Sequence, residues 1–126
     1  VACVVNFTIK EKVYRVPLII VIGKYQEYCD YMDKKYKIKE TAQSYYRGMS
    51  TIYTNNGNAI SGIWLPRFNG EPDDVVTLCH EIDHTVQHIM DKMEIPYIPD
   101  NNNHAYIYLK EYFLYESLIK LERLKK

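Results

Sequence analysis

Leu18-Ile19-Ile20-Val21-Ile22 is an uninterrupted aliphatic run, and it restricts the folds open to this chain more than any other stretch. An extended backbone with apolar side chains on both sides has no face to give to water. The run therefore reads as the end of a strand buried at the centre of a sheet. That strand is expected over Val13 to Ile22, with Pro17 marking a bulge or irregular start and Gly23 ending it. Val4 to Ile9 is rich in β-branched residues and reads as its neighbour, with Lys10-Glu11-Lys12 as the turn between them.

The pattern then changes period. Tyr25, Tyr28, Cys29, Met32 and Tyr36 recur near helical spacing, so a helix is expected from Lys24 to Lys37. Met49 to Tyr53 and Ala59 to Leu65 read as two more strands. Asn56-Gly57 between them is a strong hairpin signal, because both residues tolerate the left-handed backbone of a tight turn. Pro66 ends the pair. Asp73-Asp74 then opens a helix expected to reach Met93, and the run Asp100 to Asn103 leads into a last helix ending near Lys125. Strands and helices in this order predict an α+β fold: an N-terminal, antiparallel-rich sheet with one helix, then two long helices. At 126 residues, with no linker or repeat, the chain reads as a single domain over 1–126.

Composition narrows the function classes. Lys+Arg and Asp+Glu number 16 each and the net charge is zero, so neither nucleic acid nor an anionic membrane is expected as partner. The aliphatic run is far too short to span a bilayer, which takes about 20 apolar residues. Three cysteines, Cys3, Cys29 and Cys79, are an odd number at spacings that argue against a disulfide framework, and a reducing, cytoplasmic setting is the expectation. The thirteen tyrosines are expected mainly to pack a small core.

The chemistry concentrates in His80-Glu81-Ile82-Asp83-His84, an H-E-x-x-H pattern inside the third helix-like segment's predecessor, Asp73 to Met93. Histidines at i and i+4 stand one above the other on one helix face, where two ring nitrogens can share a zinc ion. The intervening glutamate can then serve as base toward a water. On the helical wheel Val75, Cys79, Ile82, Val86, Ile89 and Met93 form an apolar stripe. His80, His84 and His88 fall on the other side, with Glu81 beside them. His88 lies one turn too far to share an ion with His80 on a straight helix, since i and i+8 are about 12 Å apart along the axis.

A catalytic zinc needs a third protein ligand. His104, the remaining histidine, is the chemically best candidate. Asn102, Asp100 and Glu111 are further options. The core stripe of the last helix is expected to run through Tyr106, Leu109, Phe113, Ser117, Leu121 and Leu124.

This layout resembles the zincin superfamily of H-E-x-x-H metallopeptidases: strands, the motif helix, then a second helix with a third ligand. More narrowly, it is similar to small metallopeptidase-like proteins encoded by phages and prophages. The shared features are the β-rich first half, the motif helix, and an acidic/Asn run leading into Ala105-Tyr106. Those relatives carry a glutamate shortly before Ala-Tyr, where this chain has Asn101, Asn102, Asn103 and His104. A more distant likeness is to the ImmA/IrrE family, in whose register the third ligand falls on His104.

The resemblance implies a zinc-dependent peptidase of a mobile element, with zinc on His80, His84 and His104, Glu81 as catalytic base, and a peptide or protein as substrate. It implies further that Ala59 to Leu65 is the edge strand that pairs with an extended peptide. Tyr106 would either donate to an oxyanion or simply pack. The alternative is a non-catalytic module of the same fold that acts by binding a host or phage protein. A DNA-associated protease is disfavoured by the absence of net positive charge.

Overall fold

A computed structural model describes residues 5–40, 48–96 and 103–124. In chain order the elements are β1 (Val5–Lys10), β2 (Pro17–Ile22), α1 (Tyr25–Tyr36), β3 (Met49–Asn55), β4 (Asn58–Leu65), α2 (Pro72–Lys92) and α3 (His104–Leu124). This is the α+β arrangement that the sequence predicts. The sheet order is β1-β2-β4-β3: β2 pairs antiparallel with β1 and parallel with β4, and β4 pairs antiparallel with β3.

The aliphatic run explains the layering. Leu18, Ile19, Ile20 and Val21 are all 0% exposed, and successive side chains point to opposite faces. Leu18 and Ile20 join Ile63, Leu65, Leu78, Ile82, Val86, Ile89, Leu109 and Phe113 in a core under α2 and α3. Ile19 and Val21 meet Tyr25, Tyr28, Met32, Ile60 and Trp64 under α1. Each such fully buried aliphatic side chain contributes about 1.5–3 kcal/mol, so covering β2 from both sides is a large part of what holds the layers together.

Four expectations are corrected. First, β2 begins at Pro17 rather than Val13, and the turn is longer than Lys10-Glu11-Lys12. The cause is Glu11. Its buried carboxylate accepts the backbone N–H groups of Val13 (2.7 Å), Tyr14 (2.7 Å) and Arg15 (3.1 Å), so the chain wraps around it instead of extending. The Tyr108 hydroxyl also donates to it (2.7 Å), tying the loop to α3. Pro17, which has no N–H to give, then stands at the first strand position.

Second, Ala59 to Leu65 is not an edge. β4 lies between β2 and β3, with every residue from Ile60 to Leu65 buried, and among the described residues the edges are β1 and β3. The more apolar strand of the hairpin takes the inner place. The hairpin itself follows the sequence: Asn56 (φ 53°) and Gly57 (φ 82°) form the two-residue turn inside the Asn55–Asn58 pair.

Third, the buried stripe of α2 is rotated from the one expected. Leu78, Ile82, Val86 and Ile89 are fully buried and Glu81 and Thr85 join them, whereas Val75 and Cys79 are half-buried and Met93 is exposed. The helix rests on β3 and β4 as well as on α3, and the Ser50–Thr85 hydroxyl contact (2.7 Å) marks the side turned toward β3.

Fourth, the stripe of α3 is Leu109, Phe113, Ser117 and Leu121, with Tyr106 half-buried and Leu124 exposed.

Candidate functional site

The start of α2 is fixed by local chemistry. Pro72 occupies the first turn, where a missing N–H costs nothing. The buried Asp74 carboxylate accepts the N–H groups of Asn69 (2.8 Å) and Glu71 (3.3 Å) and pairs with Arg67 (3.5 Å). From this anchored end, the third and fourth turns carry His80, Glu81 and His84, with Glu81 on the buried side and the two histidines exposed.

His80 and His84 converge. Their Nε2 atoms are 3.1 Å apart, with ring centroids 4.5 Å apart and planes at 89°. Two nitrogens bound tetrahedrally to one zinc at about 2.0–2.1 Å stand about 3.3 Å apart. The side chains therefore already hold close to the ligating separation. In the metal-free chain the same geometry lets one neutral ring donate to the other. Both residues are exposed to solvent.

Glu81 is turned about 100° around the helix from His80 and is only 7% exposed. It lines an open cleft of about 360 Å³ together with Gly48, Val76, Thr77 and His80. No described residue donates a hydrogen bond to its carboxylate, which opens on the cleft. Burial pushes the Glu81 carboxyl up from its ordinary value, while His80 and His84 pull it back. A carboxylate of raised proton affinity is the better base near neutral pH. One turn later, the Thr85 hydroxyl donates to the Glu81 carbonyl (3.0 Å) and meets Ser50 of β3, which fixes this part of α2 against the edge strand.

Asp83 faces α3. Its carboxylate accepts a short hydrogen bond from the Tyr106 hydroxyl and one from Gln87 (2.9 Å), and Lys110 Nζ lies 3.5 Å away. Burial alone would raise its pKa, but Tyr106, Lys110 and Gln87 outweigh that and lower it. Tyr106 is thus engaged by Asp83, and its pKa is raised chiefly by that bond and by burial. Of the two expectations for Tyr106, this contact matches the packed one, in which the residue ties α3 to α2.

The other expected site residues are spread out. His104 is the first residue of α3 and is exposed, and the Asn103 carbonyl before it accepts the Ile107 N–H (3.0 Å). Glu111 is exposed on the same helix. Asp100 and Asn102 lie outside the described residues. His88 stacks 6.3 Å from the His84 ring, and burial followed by His84 lowers its pKa. Among the described residues, no third His, Cys, Asp or Glu joins His80 and His84 in a group able to hold a metal.

Gly48, Ser50 and Asp83 were not singled out by the sequence reading. Their roles depend on β3 and α3 being folded against α2, and no local pattern encodes that. No described helix is long and apolar enough to cross a membrane. Comparison with protein-family models, with curated proteins and with solved structures finds no match for the chain.

Proposed function

We propose that the chain is a zinc-dependent peptidase of the kind carried by phages and other mobile elements. One observation carries this reading: two histidine nitrogens 3.1 Å apart on the same helix turn as a buried carboxylate that faces an open cleft. His80 and His84 are the residues that would hold zinc. His104 is the proposed third ligand, and completing the set requires the start of α3 to come to the pair. Zinc held there would supply a Lewis acid, making a water acidic and polarising a carbonyl. Glu81 is the base. Its carboxylate takes the proton from the attacking water and hands it to the leaving nitrogen of the peptide bond. The outer side of β3, unpaired among the described residues, is the proposed place for an extended peptide, in place of β4.

The test has two parts. Purified protein is expected to bind one zinc per chain, and His80→Ala or His84→Ala to lose it. Glu81→Gln is expected to keep the zinc and abolish cleavage of an unfolded protein such as casein. Zinc-free wild-type protein, or full cleavage by Glu81→Gln, overturns the reading.

A second reading is favoured by the lack of a third ligand beside the pair among the described residues. It is a non-catalytic module that binds a host or phage protein. Zinc binding by His80 and His84 without cleavage of any peptide would support it.

A further inference from the structure

Gly48 immediately precedes the edge strand β3 and lines the cleft beside Glu81. Its backbone does not require glycine, because its φ is outside the left-handed region that only glycine adopts readily. Space requires it. A Cβ built at position 48 would lie 3.2 Å from Glu81 Oε2, 3.3 Å from Glu81 Cγ and 3.2 Å from Thr77 Cγ2. Two of these three atoms belong to the Glu81 side chain, whose long arm gives way by rotation, and the third is the Thr77 methyl. The Glu81 backbone is held by α2 and by the Thr85–Ser50 contact. His80 also lines this cleft, but neither histidine ring is among the three atoms nearest to a Cβ at position 48.

Resting on the metallopeptidase reading above, we infer that Gly48 is a positioning residue for Glu81: the missing side chain sets where the carboxylate stands in the cleft, without affecting the metal-binding pair. A methyl group there moves the carboxylate by a few tenths of an ångström. A valine displaces it further and narrows the cleft.

The experiment compares wild type with Gly48→Ala and Gly48→Val, each checked for its fold by circular dichroism. In metal-free protein, carboxyls are labelled with a water-soluble carbodiimide and glycine ethyl ester, and labelling is read residue by residue by mass spectrometry. The expected result is a several-fold change in the labelling rate at Glu81, with the exposed Glu111 unchanged as internal reference. In zinc-loaded protein, stoichiometry is expected to hold. The kcat on casein is expected to fall about tenfold in Gly48→Ala and about a hundredfold in Gly48→Val, with KM little changed.

Unchanged labelling at Glu81 in the folded variants overturns the inference, whatever the activity does. If Gly48→Val does not fold, Gly48→Ala decides alone. If wild type neither binds zinc nor cleaves casein, the metallopeptidase reading fails, and the labelling comparison still decides what Gly48 does.

Discussion

The hydroxyl of Thr85 on α2 lies 2.7 Å from that of Ser50 on β3 and donates to the carbonyl of Glu81. Ser50 therefore donates to Thr85, and the chain of bonds runs from the edge strand to the backbone of the proposed base. It replaces what would otherwise be a purely apolar contact between helix and sheet with one that fixes rotation of the helix. Thr85→Val keeps the shape but leaves Ser50 without its partner. The variant is expected to lose about 1–2 kcal/mol of stability in urea unfolding, with zinc stoichiometry unchanged. A variant as stable as wild type would show that the hydroxyl chain contributes nothing to seating α2.

Metal removal gives a second prediction. A ligand that binds only the folded state stabilises it by mass action, by about 2.7 kcal/mol at a hundred times its dissociation constant. Zinc is expected to raise the melting temperature of wild type and a chelator to reverse the rise. His80→Ala and His84→Ala should each melt at the same temperature with or without zinc. A full zinc shift in either variant would place the ion elsewhere.

Acid stability should report on Asp83. Its folded pKa is lowered from the ordinary value of 3.8. Near and below that value the folded state binds fewer protons than the unfolded chain, so stability rises with pH. The contribution is fully present above 3.8 and is lost as pH falls through the lower folded value. The stability difference between wild type and Asp83→Asn should therefore shrink from pH 6 to about pH 2. Tyr106→Phe, which removes the principal donor, should make the pH dependence of wild type and Asp83→Asn more alike. A difference that stays constant with pH would mean Asp83 is not stabilised as a carboxylate.

Gly62 supplies a packing prediction on the far side of the sheet. A Cβ there would collide with the Tyr28 hydroxyl, which is fully buried and bonded to the Tyr53 hydroxyl (2.7 Å). Gly62→Ala is expected to cost about 1–3 kcal/mol through overpacking. In a Tyr28→Phe background the same substitution should cost less, because the clashing oxygen is gone. Additive effects in the double-mutant cycle would contradict the contact.

Much of the fold was legible because it rests on local signals. Leu18 to Val21 announced a strand covered on both faces, Asn56-Gly57 a two-residue hairpin, and Tyr25, Tyr28, Cys29 and Met32 the buried side of α1. The errors came where distant segments decide. Nothing local tells β4 to pair with β2 and leave β3 outside. Nothing local tells Glu11 to collect three backbone N–H groups and a tyrosine from α3. The site divides the same way. His80, Glu81 and His84 follow from helical spacing alone, whereas Gly48, Thr85 and the Asp83–Tyr106 bond exist only once β3 and α3 have closed on α2.

The edge strand has a consequence for the chain's own solubility. Met49-Ser50-Thr51-Ile52-Tyr53-Thr54-Asn55 contains no charged residue and no proline, the devices that usually keep an open strand from adding another. The outer side of β3, unpaired among the described residues and the proposed place for a peptide, is equally able to pair with a second copy of the chain. Concentrated protein is therefore expected to associate edge to edge through β3.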